Sequence, residues 1–338
     1  MKMTGILKIL IDPHFRRMED IFNPDDLDRL ATVATIVWAK NQRAPEEVIN
    51  QTKDDLFAVV APGWRYGKLS DFPQLRAILD VGGGFPSPKV LDYKACFLRN
   101  IRVLTCAPAF GPMVAEMSLG MVLSASREIV LGHIAFVRGE ERYSREGNIG
   151  TFTLFDQIVG FIGFGGLARA LKPLLDPFRC QILAYDPWLP EHYLKKRGVH
   201  PTSLDDLLSR SKVIFVLAVP TPENKAMLDR DKLNLIQPGA VLALMSRAHV
   251  VDFDALTEFA LQGRFKAAID VFPQEPLPLD HPIRKAPGVI LSAHRAGSVE
   301  SGLREIGRMA VDDLIAMIAG LPPTEMQIAQ PEIIFKLP

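Results

Sequence analysis

The sequence predicts an α/β protein of the doubly wound type, built as two parallel-sheet domains. Three observations predict it. Short β-branched runs alternate with helical patterns from end to end, a glycine-rich turn follows one of those runs and opens a helix, and 338 residues exceed what one hydrophobic core usually serves. Apolar residues make up 48% of the chain and charged residues 23%, which fills two cores and is far from the profile of disorder.

The first set of strands reads GILKILID, TIVWA, LFAVVAP, RAILDVG and IRVLTC, with PEEVINQT and SPKVLDYKACFLRN among the intervening helices. Lys8 interrupts the first run and no small-residue cleavage site follows, so a β-strand is expected there rather than a signal peptide. This set ends near Cys106, and a long helix starts at about Pro112. Its greasiest stretch, Met113 to Val137, holds Glu116 and Arg127 with only ten uncharged residues between them, too few to span a bilayer, so a buried helix is expected. The polar segment RGEERYSREGNIG then leads to IVGFIG, which opens a second set continued by QILAYD, VIFVLAV, AVLALM, KAAIDV and VILSA. The helix VDFDALTEFALQG begins at Asp252, whose carboxylate can serve its exposed N–H groups, and a last helix runs from about Val299 to Ala319.

Thirty-nine basic and thirty-nine acidic side chains cancel without a dense Lys/Arg run, which argues against nucleic acid as a partner. Cys96, Cys106 and Cys180 are odd in number, far apart and form no C-x-x-C, so neither a disulfide framework nor a zinc site is expected. A reducing cytoplasm suits such a chain. No membrane partner and no metal are expected.

In IVGFIGFGGLARALKPLL a strand runs into Gly163-Phe164-Gly165-Gly166-Leu167-Ala168 and then a helical pattern, the required context for G-x-G-x-x-[G/A]. Gly163 permits the tight turn, Gly165 lets the backbone approach a pyrophosphate, and Ala168 allows close helix–strand packing. The next strand ends at Asp186, 23 residues after Gly163, where a carboxylate can accept from ribose hydroxyls and repel a 2′-phosphate. NAD is thereby favoured over NADP.

Three polar residues follow later strands: Arg247 in LALMSRAHVVD, Glu275 in DVFPQEPLP and His294 in VILSAHRAG. Parallel sheets place ligand sites at the carboxyl ends of their strands. There an Arg can hold a carboxylate by two charge-assisted bonds, a His can pass a proton, and a carboxylate can orient the imidazole and favour its protonated form. Together they suit hydride chemistry at a carbonyl.

The blocks SRAHVVDFDAL, AAIDVFPQEPLPLDHP and VILSAHRAG, with VAEMSLGMVLSASR and VGFIGFGGLARALKPLL, resemble those of the D-isomer-specific 2-hydroxyacid dehydrogenases, which include phosphoglycerate, glyoxylate and hydroxypyruvate reductase-like enzymes. The resemblance is well marked from Cys106 to Gly297 and fainter before it. It implies an NAD-dependent oxidoreductase acting on a small anionic 2-hydroxy or 2-keto acid. Arg247 is then the substrate-binding arginine, Glu275 the acid paired with the histidine, and His294 the proton donor and acceptor. Glu275, immediately before Pro276, is the matching residue rather than Gln274, unlike the formate dehydrogenases of this superfamily, which use glutamine. The resemblance further implies pyrophosphate contact at Gly166 and Leu167, cofactor contacts at Val219, Met245, Ser246, His294 and Gly297, and a nicotinamide contact at Asp270.

The same resemblance implies two Rossmann-like and flavodoxin-like parallel-sheet domains with a cleft between them. Residues 1–106 with 298–338 would form the substrate-binding domain and residues 107–297 the NAD-binding domain. It also implies a homodimer paired through the long helix and the loop after it. Where members of the family carry a G-x-G-x-D-like loop, this chain reads DVGGGFPSPKVLD, in which Gly83 and Gly84 are candidates to bind substrate while Pro86 and Pro88 remove donors. Trp64 and Arg65 are candidates to border the same cleft, and Arg295 to add a second positive charge to it. His249 and His281 are expected at the surface. The competing expectation is an NAD-sensing, corepressor-like binding protein without significant turnover, a relative of these dehydrogenases that also retains the arginine, glutamate and histidine.

Overall fold

The computed structural model describes residues 7–337, so Gly5 and Ile6 of the first expected strand lie outside the described residues. The chain divides into two compact units, one running up to Phe110 and resuming at Ser298, the other spanning Gly111–Gly297.

In the first unit, β1 (Lys8–Ile11), β2 (Thr35–Trp38), β3 (Leu56–Ala61), β4 (Ala77–Asp80) and β5 (Arg102–Thr105) form a parallel sheet in the order β5-β4-β3-β1-β2. A short segment, Gln327–Ile328, adds to β5 in antiparallel fashion. Alternation along the strands supplies two faces. Ile9, Ile11, Val60 and Leu79 pack with Ile306, Met309 and Leu314 of the helix Glu300–Ile318, while Leu10, Val59 and Ile78 pack with Phe72 and Tyr93. Both faces are therefore apolar, and all six residues of β3 are buried, as a covered parallel sheet requires. The segment SPKVLDYKACFLRN is helical only over Tyr93–Leu98, where the Asp92 carboxylate caps the start by accepting from the Ala95 N–H.

The second unit carries β6 (Ile158–Ile162), β7 (Gln181–Tyr185), β8 (His200–Pro201), β9 (Val213–Val216), β10 (Val241–Leu244), β11 (Lys266–Ile269) and β12 (Val289–Leu291). All pair in parallel, in the order β12-β11-β10-β9-β6-β7-β8. The order reverses between β6 and β9, so connections leave toward opposite sides and open a crevice at the carboxyl ends of those strands. Ile162, Val216, Leu244 and Ile269 pack with Leu207 of the helix Leu204–Arg210 and with Leu256 and Phe259 of the helix Phe253–Leu261. Asp252 caps that last helix by accepting from the Ala255 N–H at 3.0 Å.

The single buried helix expected over Met113–Val137 is two helices, Phe110–Ser126 and Ile129–Arg138, separated at Glu128, whose φ of +52° stops the first. By length and composition Ala107–Ser126 could cross a membrane, yet Val114, Ala115, Met121, Val122 and Ala125 are buried in the protein. The second helix buries none of its residues, and Phe136 and Val137 are 61% and 73% exposed.

Candidate active site

The turn after β6 opens the helix Gly166–Leu175. Gly163 has φ +87°, and a Cβ on it would stand 2.8 Å from the Ala218 Cα, so both conformation and space demand glycine. Around Gly165 and Gly166 a Cβ would meet nothing, which leaves backbone open at the helix start where an anion is favoured. Asp186, just past β7, accepts from the Phe164 N–H at 2.8 Å through one oxygen and from the Trp188 N–H at 2.9 Å through the other. The acid thereby ties the end of β7 to the glycine turn, and each oxygen retains a lone pair for a hydroxyl. Val219, after β9, is half-exposed, whereas Met245 and Ser246, after β10, are buried. The Ser246 Oγ is buried with no partner among the described residues, an unmet capacity of the kind a polar ligand or water satisfies. These features fit a dinucleotide.

Beyond the same sheet edge lie Arg247, Glu275 and His294. Arg247 extends from the end of β10 into solvent, with Nη1 donating to the Ser246 carbonyl at 2.7 Å. The Nδ1 of His294 lies 2.7 Å from Oε2 of Glu275, whose Oε1 accepts from the Phe272 N–H at 3.0 Å. Burial alone pushes Glu275 up, but the His294 hydrogen bond, the Phe272 N–H and the charges of His294 and Arg247 outweigh it and hold the carboxyl below the usual range. Glu275 is thus an anion, Nδ1 is the donor, and Nε2 is the atom left for chemistry. The structure brings the histidine and glutamate together and sets Arg247 near enough for its charge to act on the glutamate.

His294 has φ +52°, a left-handed conformation that costs a non-glycine residue about 1 kcal/mol. It is held there from Asp270. The His294 N–H donates to the Asp270 carbonyl at 2.8 Å, while the Asp270 carboxylate accepts from the N–H groups of Arg295 at 3.0 Å and Ala296 at 3.2 Å. Asp270 is only 1% exposed, so three consecutive backbone donors are fixed to one buried residue. The apolar sequence around Asp270 shows no sign of this clamp; an acid at the end of a buried strand is the only signal. Gly297 follows, partly buried, and Arg295 is exposed.

In the first unit, Gly83 and Gly84 lie in the turn after β4, Gly83 partly buried and Gly84 exposed. Trp64 is buried, edge-on to Tyr66 and Phe72, and donates Nε1–H to the Gly67 carbonyl. Its neighbour Arg65 pairs with the buried Asp12. His249 is exposed, and His281 is partly buried, where it packs on Phe253 and accepts from the Ile283 N–H through Nδ1. Among the described residues no three His, Cys, Asp or Glu side chains converge to hold a metal.

The NAD binding domain of the D-isomer specific 2-hydroxyacid dehydrogenases matches residues 119–296, just over half of the chain. The chain belongs to this family. A phosphoglycerate oxidoreductase from Rhizobium etli superposes with a TM-score of 0.84 at 35% identity, over 96% of this chain and 98% of that one. The D-3-phosphoglycerate dehydrogenase of Methanocaldococcus jannaschii is 26% identical over 279 residues, covering 81% of this chain and 52% of that protein. Glyoxylate reductase of Aeropyrum pernix is 26% identical over 314 residues, covering 90% and 92%. The chain thus spans about half the length of the phosphoglycerate dehydrogenases it matches and nearly the whole of the glyoxylate reductase. The matched segment, which holds the glycine turn, is the NAD binding domain of the family.

Proposed function

We propose that this 2-hydroxyacid dehydrogenase transfers hydride between NAD(H) and a small anionic 2-keto or 2-hydroxy acid. The observation that carries the reading is the 2.7 Å pairing of His294 with Glu275 beside Arg247, on the sheet edge that also holds the glycine turn and Asp186. Bound NADH supplies the hydride. Arg247 grips the substrate carboxylate and polarises the neighbouring carbonyl. As the carbonyl carbon accepts hydride, the imidazolium Nε2 gives its proton to the developing alkoxide, and Glu275 steadies the ring and its charge. Oxidation of the hydroxy acid runs the same transfers backwards, with neutral His294 taking the hydroxyl proton. The turn that holds Gly83 and Gly84 is assigned to the substrate's anionic end. In the NAD-binding segment, Gly163 makes the turn by which Gly165, Gly166 and Leu167 receive the pyrophosphate, Asp186 holds the ribose, and Val219, Met245, Ser246, Asp270 and Gly297 flank the rest of the cofactor. Residues 1–106 with 298–338 are assigned to substrate and 107–297 to NAD.

The exposed Ile129, Phe136 and Val137 of the helix Ile129–Arg138, with Tyr143 and Ile149 in the loop beyond, support a homodimer paired through this apolar surface. The cysteines support a reducing compartment such as the cytoplasm: burial pushes Cys96 and Cys106 up to about 12 and Cys180 up to about 11, and all three are free.

The test is NADH oxidation, followed at 340 nm as a general property of the reduced nicotinamide, with glyoxylate, hydroxypyruvate and phosphohydroxypyruvate. Turnover of at least one is expected. NAD binding without turnover of any 2-keto acid would instead favour the sensing role.

A further inference from the structure

Asp80 ends β4 and is 4% exposed. Its carboxylate accepts from the N–H of Gly63 at 2.7 Å and of Gly82 at 2.7 Å, and the Gly83 N–H lies close enough to favour its anionic form. Gly63 belongs to the turn after β3, the other two to the turn after β4, so one buried anion fastens two loops. From the segment after β1, Arg16 holds the opposite side of the second turn, with Nε donating to the Val81 carbonyl at 2.7 Å and Nη2 to the Gly82 carbonyl at 3.4 Å. The glycines are needed for this closeness. A Cβ on Gly82 would stand 3.0 Å from the Asp80 Oδ1, and one on Gly83, at φ +108°, would stand 3.0 Å from the Phe110 ring.

Backbone donors of consecutive glycines converging on an anion make a nest, and here the anion is the protein's own. We infer that Asp80 is the positioning residue of the Gly82–Gly84 turn, engaging the donors of Gly82 and Gly83 and presenting the exposed Gly84 N–H to the substrate's anionic end. The inference rests on the proposed assignment of that turn to substrate and deepens it: the chain's own charge, in addition to the ligand's, sets the turn. Asp80 acts through the turn and does not touch the reacting atoms.

The arrangement depends on Asp80 being ionised. A protonated carboxyl gains a donor and loses acceptor capacity, so it cannot serve three N–H groups equally. Burial raises Asp80 to about 6 even though Gly63, Gly82, Gly83 and Arg16 all oppose that rise. The other titratable groups that face it are the Cys106 thiol and the Tyr93 hydroxyl. Burial, then the charge of Asp80, pushes Cys106 up to about 12 and Tyr93 well above its ordinary value, so both stay neutral near pH 6, while Arg16 stays a cation. Protonation of Asp80 should therefore loosen the turn just below neutrality.

Nuclear magnetic resonance of the full-length protein, labelled with ¹⁵N-glycine, tests this without reference to turnover. The amide signals of Gly63, Gly82 and Gly83 should move together with one midpoint near pH 6, and Asp80→Asn should abolish that titration. With whichever keto acid is accepted, wild-type KM should rise severalfold below pH 6 while NADH affinity holds. In Asp80→Asn, KM should be raised throughout, should lose that pH dependence, and should leave kcat largely unchanged. Glycine amides that titrate separately or not at all in the wild type, a result that needs no variant, overturn the inference; so does an Asp80→Asn enzyme with wild-type KM at every pH. If no keto acid is turned over, the functional reading fails, and the amide titration still decides the role of Asp80.

Discussion

Nδ1 of His294 and Oε2 of Glu275 stand 2.7 Å apart, and the second glutamate oxygen is fastened to the Phe272 N–H. The ring is thus oriented by a carboxylate that is itself oriented. Because Glu275 is held below the ordinary carboxylate range, it stays anionic throughout the neutral region and favours the charged imidazole. In the proposed reaction keto-acid reduction consumes that imidazolium, so kcat/KM should fall on the alkaline side. Glu275→Gln removes the charge, and the imidazolium then gives up its proton at lower pH. The alkaline limb should move toward acid, and His294→Ala should remove most activity at every pH. An unmoved profile in Glu275→Gln, together with an active His294→Ala enzyme, would show that this pair does not handle the proton.

Arg247 should act on the substrate and not on the cofactor. Loss of two charge-assisted hydrogen bonds predicts that Arg247→Ala lowers kcat/KM for the keto acid on the order of 100- to 1000-fold. NADH affinity, measured by fluorescence, should remain near that of the wild type. Lys at this position should recover little, because one ammonium cannot reproduce a planar two-pronged grip. Near wild-type efficiency in the Ala variant sinks the assignment.

Asp186 should set the cofactor preference. Its carboxylate already accepts from Phe164 and Trp188, so its position is fixed and its charge opposes a 2′-phosphate wherever the ribose meets it. NAD(H) should bind more tightly than NADP(H), and Asp186→Ser should narrow the ratio by about tenfold, which corresponds to about 1.4 kcal/mol. Paired titrations with both cofactors decide the matter. A wild-type preference for NADP(H) contradicts it.

Asp270 keeps His294 in its left-handed conformation. Asp270→Ala strands the N–H groups of Arg295 and Ala296, which should cost about 1–3 kcal/mol of stability and lower kcat as the ring loses its place. ADP-ribose, which lacks the nicotinamide, should still bind as it does to the wild type. Reduced affinity for ADP-ribose would mean that the damage extends to the glycine turn and is not confined to the histidine segment.

The sequence by itself determined the architecture and the place of the candidate site residues along it. Alternating β-branched runs and helical patterns specify parallel strands, because both faces of such a strand must be apolar, and β3 is buried along its whole length for that reason. Gly163, Asp186, Arg247, Glu275 and His294 were legible because each follows a strand, and parallel strands deliver their ends to one edge. What only the tertiary structure decided were the contacts between segments far apart in the chain. The clamp of Asp270 on residues 294–296, the grip of Arg16 on the turn after β4, and the tie from Asp186 to Phe164 join segments between 22 and 66 residues apart. No local periodicity encodes such a bond, since its geometry exists only once the strands are in register. The break at Glu128 was equally hidden: an apolar run does not reveal where it changes direction, and the unburied face of Ile129–Arg138 appears only when the rest of its unit has packed without it.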